Sequence, residues 1–268
     1  TSRPLTGVPT DFASHAWRYQ FKDFVAAIEE EARQRDAERA RAGLPPITEW
    51  RYYWNDIFVE DQNATDSKPE GYFFDAFRNA IITIGRTVLV LCPLSAAIPL
   101  TRAWCVWEIF CTLHSKGAEL AVALPPSEFA AFERVLLSGG DGLEKIASWV
   151  TAVKAESSVA FEADDTTKIH QAIREQFSFH AVDSAICAGL REWLQRAALG
   201  VANGPAAGEK GAARRAGLAG SLLQDQGKLS EAEPLYMRAL EGQERALGPD
   251  HSSTLSSVGN LALLLQVQ

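Results

Sequence analysis

No apolar run in the chain approaches the roughly 20 residues needed to cross a bilayer, and its start carries no signal-peptide pattern. Membrane attachment is therefore not expected. Lysine and arginine form no stripe: 26 basic residues against 34 acidic ones leave a net charge of -8. Without a clustered positive face, a nucleic-acid backbone has nothing to meet it. Cysteine is scarce. Cys92, Cys105, Cys111 and Cys187 form neither CxxC nor a Cys/His spacing suited to zinc, and they lie in apolar contexts. They are expected to be reduced core thiols of a cytoplasmic protein, with no bound metal. The loops that matter for ligand binding hold no GxGxxG and no GxxxxGK[ST], which argues against Rossmann dinucleotide binding and against a P-loop NTPase.

What is present suffices for one full domain and a smaller piece: 268 residues, 47% of them hydrophobic. The chain opens on Thr1 rather than Met, so a fragment of a longer parent is expected. Over residues 33–41 basic and acidic side chains alternate. Glu29 with Arg33 and Glu31 with Arg35 stand one turn apart, the pattern of a solvated helix face.

The most informative stretch is TRAWCVWEIFC, residues 101–111, which follows an apolar strand at 87–91. At about 3.6 residues per turn, Trp104, Glu108 and Cys111 share one face, while Ala103, Val106, Phe110 and Leu113 cover another. The helix is expected to be buried on most sides. An ionised acid is costly there unless it is paired or faces a polar cleft, so Glu108 is a candidate functional group. The structural alternative is an acid paired to Arg102 or to an N-terminal loop.

The first 200 residues alternate strand and helix. A short strand at 11–14 ends in Ser14-His15-Ala16-Trp17, and a helix bearing Phe21, Phe24, Val25 and Ile28 runs to Gly43 and a stop at 44–46. RYYWNDIFV, residues 51–59, predicts the second strand, followed by a polar loop at 60–70. Phe73, Phe74, Phe77, Ile81 and Ile84 mark a helix closed by Gly85; then come the strand at 87–91, the Glu108 helix and a strand at 119–124. Further helices are expected at 128–137, 142–154, 166–177 and 183–199. This order implies crossover connections and hence a parallel α/β sheet covered on both faces. Ligands gather outside the carboxyl ends of such strands. Those ends lead into the loops at 14–17, 60–70 and 92–101.

The short strand ending in SHAW, the aromatic strand carrying WNDIF, the IxxIG helix end, VLVL, a proline-containing loop and then R-x-W-C-x-x-E together resemble a Toll/interleukin-1 receptor (TIR) domain. The likeness is closest to the TIR-like branch joined to helical repeats in algae and other protists, and covers residues 8–124. It implies a flavodoxin-like sheet with helices on both faces. Trp104-Cys105-Val106-Trp107-Glu108 is similar to the WCxxE of plant-type TIR domains, whose glutamate is catalytic in NAD cleavage. Glu108 is thus implied to be catalytic, with NAD as substrate and no cofactor. The sequence departs from the family at Ser14-His15, where an aromatic residue or Arg usually follows the serine.

That chemistry is coherent on its own terms. Breaking the nicotinamide to ribose bond passes through an oxocarbenium-like state and releases a neutral leaving group, so one carboxylate held away from water can suffice. Ser14, His15 and Trp17 are candidates for lining the phosphate and ribose path, and Trp104, one turn before Glu108, is placed either to wall the pocket or to pack in the core. Asp56 is read as an acid capping the strand end, with a site role as the alternative.

After residue 199 the composition changes. GVANGPAAGEKG, residues 200–211, reads as a flexible linker, bounded at 200–212, after an α/β domain with a helical extension at 8–199. Beyond it Gly217, Leu222, Leu223, Gln224 and Gln226 recur 42 residues later as Gly259, Leu264, Leu265, Gln266 and Gln268. One unit predicts a helix at 213–226, a turn at Gly227-Lys228, and a second helix with Ser230 and Glu233 as a capping box and Pro234 near its start. The segment at 222–251 resembles tetratricopeptide repeats of the kinesin-light-chain type, which implies a helical groove that binds peptides or other proteins. One full and one truncated unit occupy 213–268, and since about three are needed for a continuous core, more are expected to follow. Two functions of different class result. One is a signalling enzyme cleaving NAD, with self-association through its TIR-like domain completing the site. The other is a non-catalytic scaffold, of which a kinesin-light-chain-like adaptor is a narrower form.

Overall fold

A computed structural model describes residues 6–45, 47, 50–59, 72–138, 142–206 and 208–267. The expected polar loop at 60–70 lies outside the described residues. The chain divides into two compact units, Thr1–Glu128 with Trp149–Trp193, and Phe129–Ser148 with Leu194–Gln268.

The first unit is built on four parallel strands: β1 (Asp11–Ser14), β2 (Tyr53–Trp54), β3 (Arg86–Val90) and β4 (Glu119–Ala123), in the order β2-β1-β3-β4. This is the flavodoxin-like order, in which the chain turns from one side of the sheet to the other between β1 and β3. Its helices are α1 (Phe21–Arg41), the single turn α2 (Asp56–Val59), α3 (Tyr72–Ile84) and α4 (Ala103–His114); α5 (Pro126–Leu136) and α6 (Gly142–Val150) fall mainly in the second unit, α7 (Ala163–Gln176) lies in the first, and α8 (Phe179–Ala202) runs from the first into the second. Alternation along the strands decides which helix covers which face. Ala13, Val88, Val90, Ala121 and Ala123 pack on Phe24 and Ala27 of α1. On the opposite face Phe12 stacks on Trp54 at 4.7 Å and meets Phe77 of α3 at 6.3 Å. Thr87 and Thr112 share a 2.7 Å hydroxyl hydrogen bond, which ties β3 to α4 on that second face.

At the amino-terminal edge of the sheet, Arg86 is 7% exposed and holds two buried carboxylates, Asp11 (0%) and Glu31 (8%), with Glu119 at 3.3 Å. Arg35 adds a 3.4 Å contact to Asp11. The expected pairing of Glu29 with Arg33 and Glu31 with Arg35 is therefore corrected: Arg33 pairs with Glu30, and Glu31 turns inward to Arg86. A guanidinium that can meet several carboxylates in a fixed fork outcompetes a solvated pair along the helix.

The second strand is also shorter than expected. It stops after Trp54 because Asn55 turns the chain: the Ile57 amide donates to Asn55 Oδ1 at 3.1 Å and to Asp56 Oδ1 at 2.9 Å, starting α2. Gly85, at φ +74°, closes α3 as expected, its amide donating to Ile81 O.

In the second unit, α9 (Gly208–Asp225), α10 (Leu229–Leu247) and α11 (Ser252–Val267) follow one another. Helix covers much of the expected linker, since α8 runs to Ala202 and α9 starts at Gly208. Small residues bring α9 and α10 close. A Cβ on Gly220 would stand 3.0 Å from the Tyr236 ring, and one on Gly242 2.8 Å from Ala213 Cβ. Ala232, Tyr236 and Leu264 form the core, and the Tyr236 hydroxyl donates to Gln224 Oε1 at 2.8 Å. The expected capping box is absent, because α10 begins at Leu229 with Lys228 as its cap residue and Ser230 already lies within the helix. Pro234 lies inside α10, in its second turn.

Candidate functional site

Ser14 ends β1 and, by the alternation that points Phe12 toward α3, faces α4. There its hydroxyl donates a 2.6 Å hydrogen bond to Glu108 Oε2. Both side chains are buried, Ser14 at 1% and Glu108 at 6% exposure. Among the described residues no cation pairs with Glu108. Arg102, one of the two expected structural partners, instead forms a backbone bridge with Val159, so the polar contact comes from the N-terminal strand. Burial pushes the Glu108 carboxyl up to about 8; the Ser14 hydrogen bond opposes this and the charge of Asp56 adds to it. At neutral pH the acid is mainly protonated.

His15 follows directly. Its carbonyl accepts from Cys105 Sγ at 3.3 Å, its ring lies 4.8 Å from that of Phe24, and its Nδ1 lies 3.4 Å from Asn55 Nδ2. Burial lowers its basicity, with Asp56 opposing, which favours the neutral ring at pH 7. Trp17 is more than half exposed and its indole Nε1 donates to Asp56 Oδ2 at 2.9 Å. Asp56 thus acts at the start of α2 and also reaches the β1–α1 loop.

Trp104 sits apart from these contacts. It packs between Phe74 and Phe77 of α3, at 5.1 Å from each ring, and donates to Asp165 Oδ2 at 3.1 Å. The structure thus brings Ser14 to Glu108, sets the His15 carbonyl on Cys105, ties Trp17 to Asp56, and holds Trp104 in an aromatic layer with Phe74 and Phe77. Sequence reasoning did not single out Asn55 or give Cys105 a place at the site. Asn55 follows β2 as His15 follows the neighbouring β1, and that position was a usable signal. A concavity of about 350 Å3 bordered by Arg78, Cys111, His114 and Lys116, and another of about 420 Å3 bordered by Thr10, Trp50 and Tyr52, both lie away from Glu108.

All four cysteines are free, and among the described residues no cluster of His, Cys, Asp and Glu is arranged to hold a metal ion. No helix among the described residues is long and apolar enough to cross a membrane.

A family model of the tetratricopeptide repeat matches residues 213–253, which places α9, α10 and the turn between them in one such repeat. Among curated proteins and among solved structures, nothing matches the chain. The class defined here is an α/β domain on a four-stranded parallel sheet, followed by a helical segment carrying a tetratricopeptide repeat. Repeats of this kind stack into surfaces that bind other proteins.

Proposed function

We propose that the α/β domain is TIR-like and cleaves NAD at the nicotinamide to ribose bond, with Glu108 as its carboxylate, in a cytoplasmic signalling protein whose repeat binds a protein partner. The observation that carries this reading is the Ser14–Glu108 hydrogen bond at the carboxyl end of β1, where the strand order reverses. As the bond breaks, its electron pair leaves with the nicotinamide nitrogen, which becomes neutral, and positive charge develops on the ribose. Glu108 in its ionised form stabilises that charge. Water then adds to the ribose carbon and a proton is lost, giving ADP-ribose. His15 and Trp17, at the start of the same loop, line the approach for phosphate and ribose, and self-association of the domain opens and completes the site.

A second reading, a non-catalytic interaction scaffold, is favoured by one observation: Glu108 is only 6% exposed. In that reading Glu108 and Ser14 are a buried polar pair and the protein works through binding alone. Nicotinamide release from NAD by clustered protein separates the two. Release that disappears in Glu108→Ala supports the enzyme; no release from folded, clustered wild type supports the scaffold.

A further inference from the structure

The segment after β1 and the segment after β2 touch three times in succession. His15 meets Asn55 at 3.4 Å, Trp17 Nε1 donates to Asp56 at 2.9 Å, and the Phe21 and Phe58 rings meet edge to face at 5.7 Å. Ser14, bonded to Glu108, directly precedes this loop, and Cys105, about one turn before Glu108 on α4, donates its thiol to the His15 carbonyl. We infer that Trp17 and Asp56 form a clasp that holds the β1–α1 loop closed over Ser14 and Glu108, and that release of the clasp admits substrate. This rests on the NAD-cleaving reading of the same site and adds its gate.

The contacts are of the kind a gate requires. Trp17 is 56% exposed, Phe21 55% and Phe58 68%, so these contacts are made in water, while Ala16 beside Trp17 is buried. The single turn α2 has no buried residue, and these contacts join it to the loop. The loop is fixed at both ends, by Ser14 in β1 and by Phe21 at the start of α1, and between them a Tyr19 to Ala16 turn bond of 3.0 Å keeps it compact. Opening around Trp17 also moves Ala16, which is buried, and the Tyr19 hydroxyl, which accepts from the Cys92 amide at 3.0 Å, so the clasp acts together with these two anchors. Closed, it accounts for an acid that is partnered by a serine yet has almost no contact with solvent. Asp56 is a positioning residue here, acting on Glu108 through Trp17 and through its own charge.

Cys105 reports the clasp independently of catalysis, because its buried thiol lies under His15. The full chain is labelled with a maleimide under native conditions, and modification at Cys105 is followed by peptide mass spectrometry in wild type, Trp17→Phe and Asp56→Ala. Trp17→Phe keeps an aromatic ring and loses the donor; Asp56→Ala loses the acceptor while Asn55 still caps α2. Each is expected to label Cys105 about fivefold faster, the effect of a change near 1 kcal/mol at 1.4 kcal/mol per tenfold, with unchanged circular dichroism. Labelling at the wild-type rate in both folded variants overturns the clasp. Nicotinamide release is read on the same samples. Faster labelling without release keeps the clasp and defeats the NAD reading, whereas faster release without faster labelling defeats the clasp alone.

Discussion

Ser14 Oγ lies 2.6 Å from Glu108 Oε2, joining residues 94 positions apart in a contact closed off from solvent. A strand end and the middle of a helix are linked by polar groups where apolar packing would cost less, and the acid is held mainly neutral there.

The buried acid makes stability depend on pH in a set direction. Its pKa is raised from 4.5 to about 8, so its contribution is fully present below about 4.5 and is lost as pH rises through about 8. Glu108→Gln, which cannot ionise, is expected to be more stable than wild type at neutral and alkaline pH. The gap should grow by about 5 kcal/mol between acid and alkaline conditions, at about 1.4 kcal/mol per pH unit. Urea titrations across pH measure it; a gap that shrinks as pH rises contradicts the burial account.

Arg86 is the second test of buried charge. Replacing it with Leu leaves Asp11 and Glu31 without their shared guanidinium, at exposures of 0% and 8%. Loss of one partner from a buried ion pair costs about 3–5 kcal/mol. Thermal and urea melting of Arg86→Leu should show a loss of that size, and a melting midpoint equal to wild type would mean that the cluster is not closed in solution.

The repeat offers a matched pair of glycines. In Gly242→Ala the new methyl meets Ala213 Cβ at 2.8 Å, on a backbone that has to shift, so a loss of about 1–3 kcal/mol is expected despite the better helix propensity. Gly259 has nothing within 4 Å of an added Cβ, so Gly259→Ala should gain about 0.5–1 kcal/mol. Opposite signs in denaturant melts check the close approach of α9 and α10.

The sheet and its helices were legible because solid apolar runs such as 87–91 alternate with helical spacing, and Glu108 stood out because a carboxylate in that company is conspicuous. The face of α4 was only half legible. Helical spacing puts Trp104 and Glu108 together, but the rings of Phe74 and Phe77 draw Trp104 into the aromatic layer while Ser14 takes Glu108. Glu31 looked like one of several evenly spaced acids, and nothing local announces that Arg86, 55 positions on, will claim it. The second strand read too long because its aromatic residues continue past Asn55, whose side chain turns the backbone.

The most direct test of the central claim is the pH profile of nicotinamide release from NAD by clustered wild-type protein, with Glu108→Ala alongside. If ionised Glu108 performs the cleavage, release rises with pH to a plateau as the carboxyl ionises and is lost in Glu108→Ala at every pH. Release that ignores both the pH and the substitution, or no release from the folded protein at any pH, contradicts it.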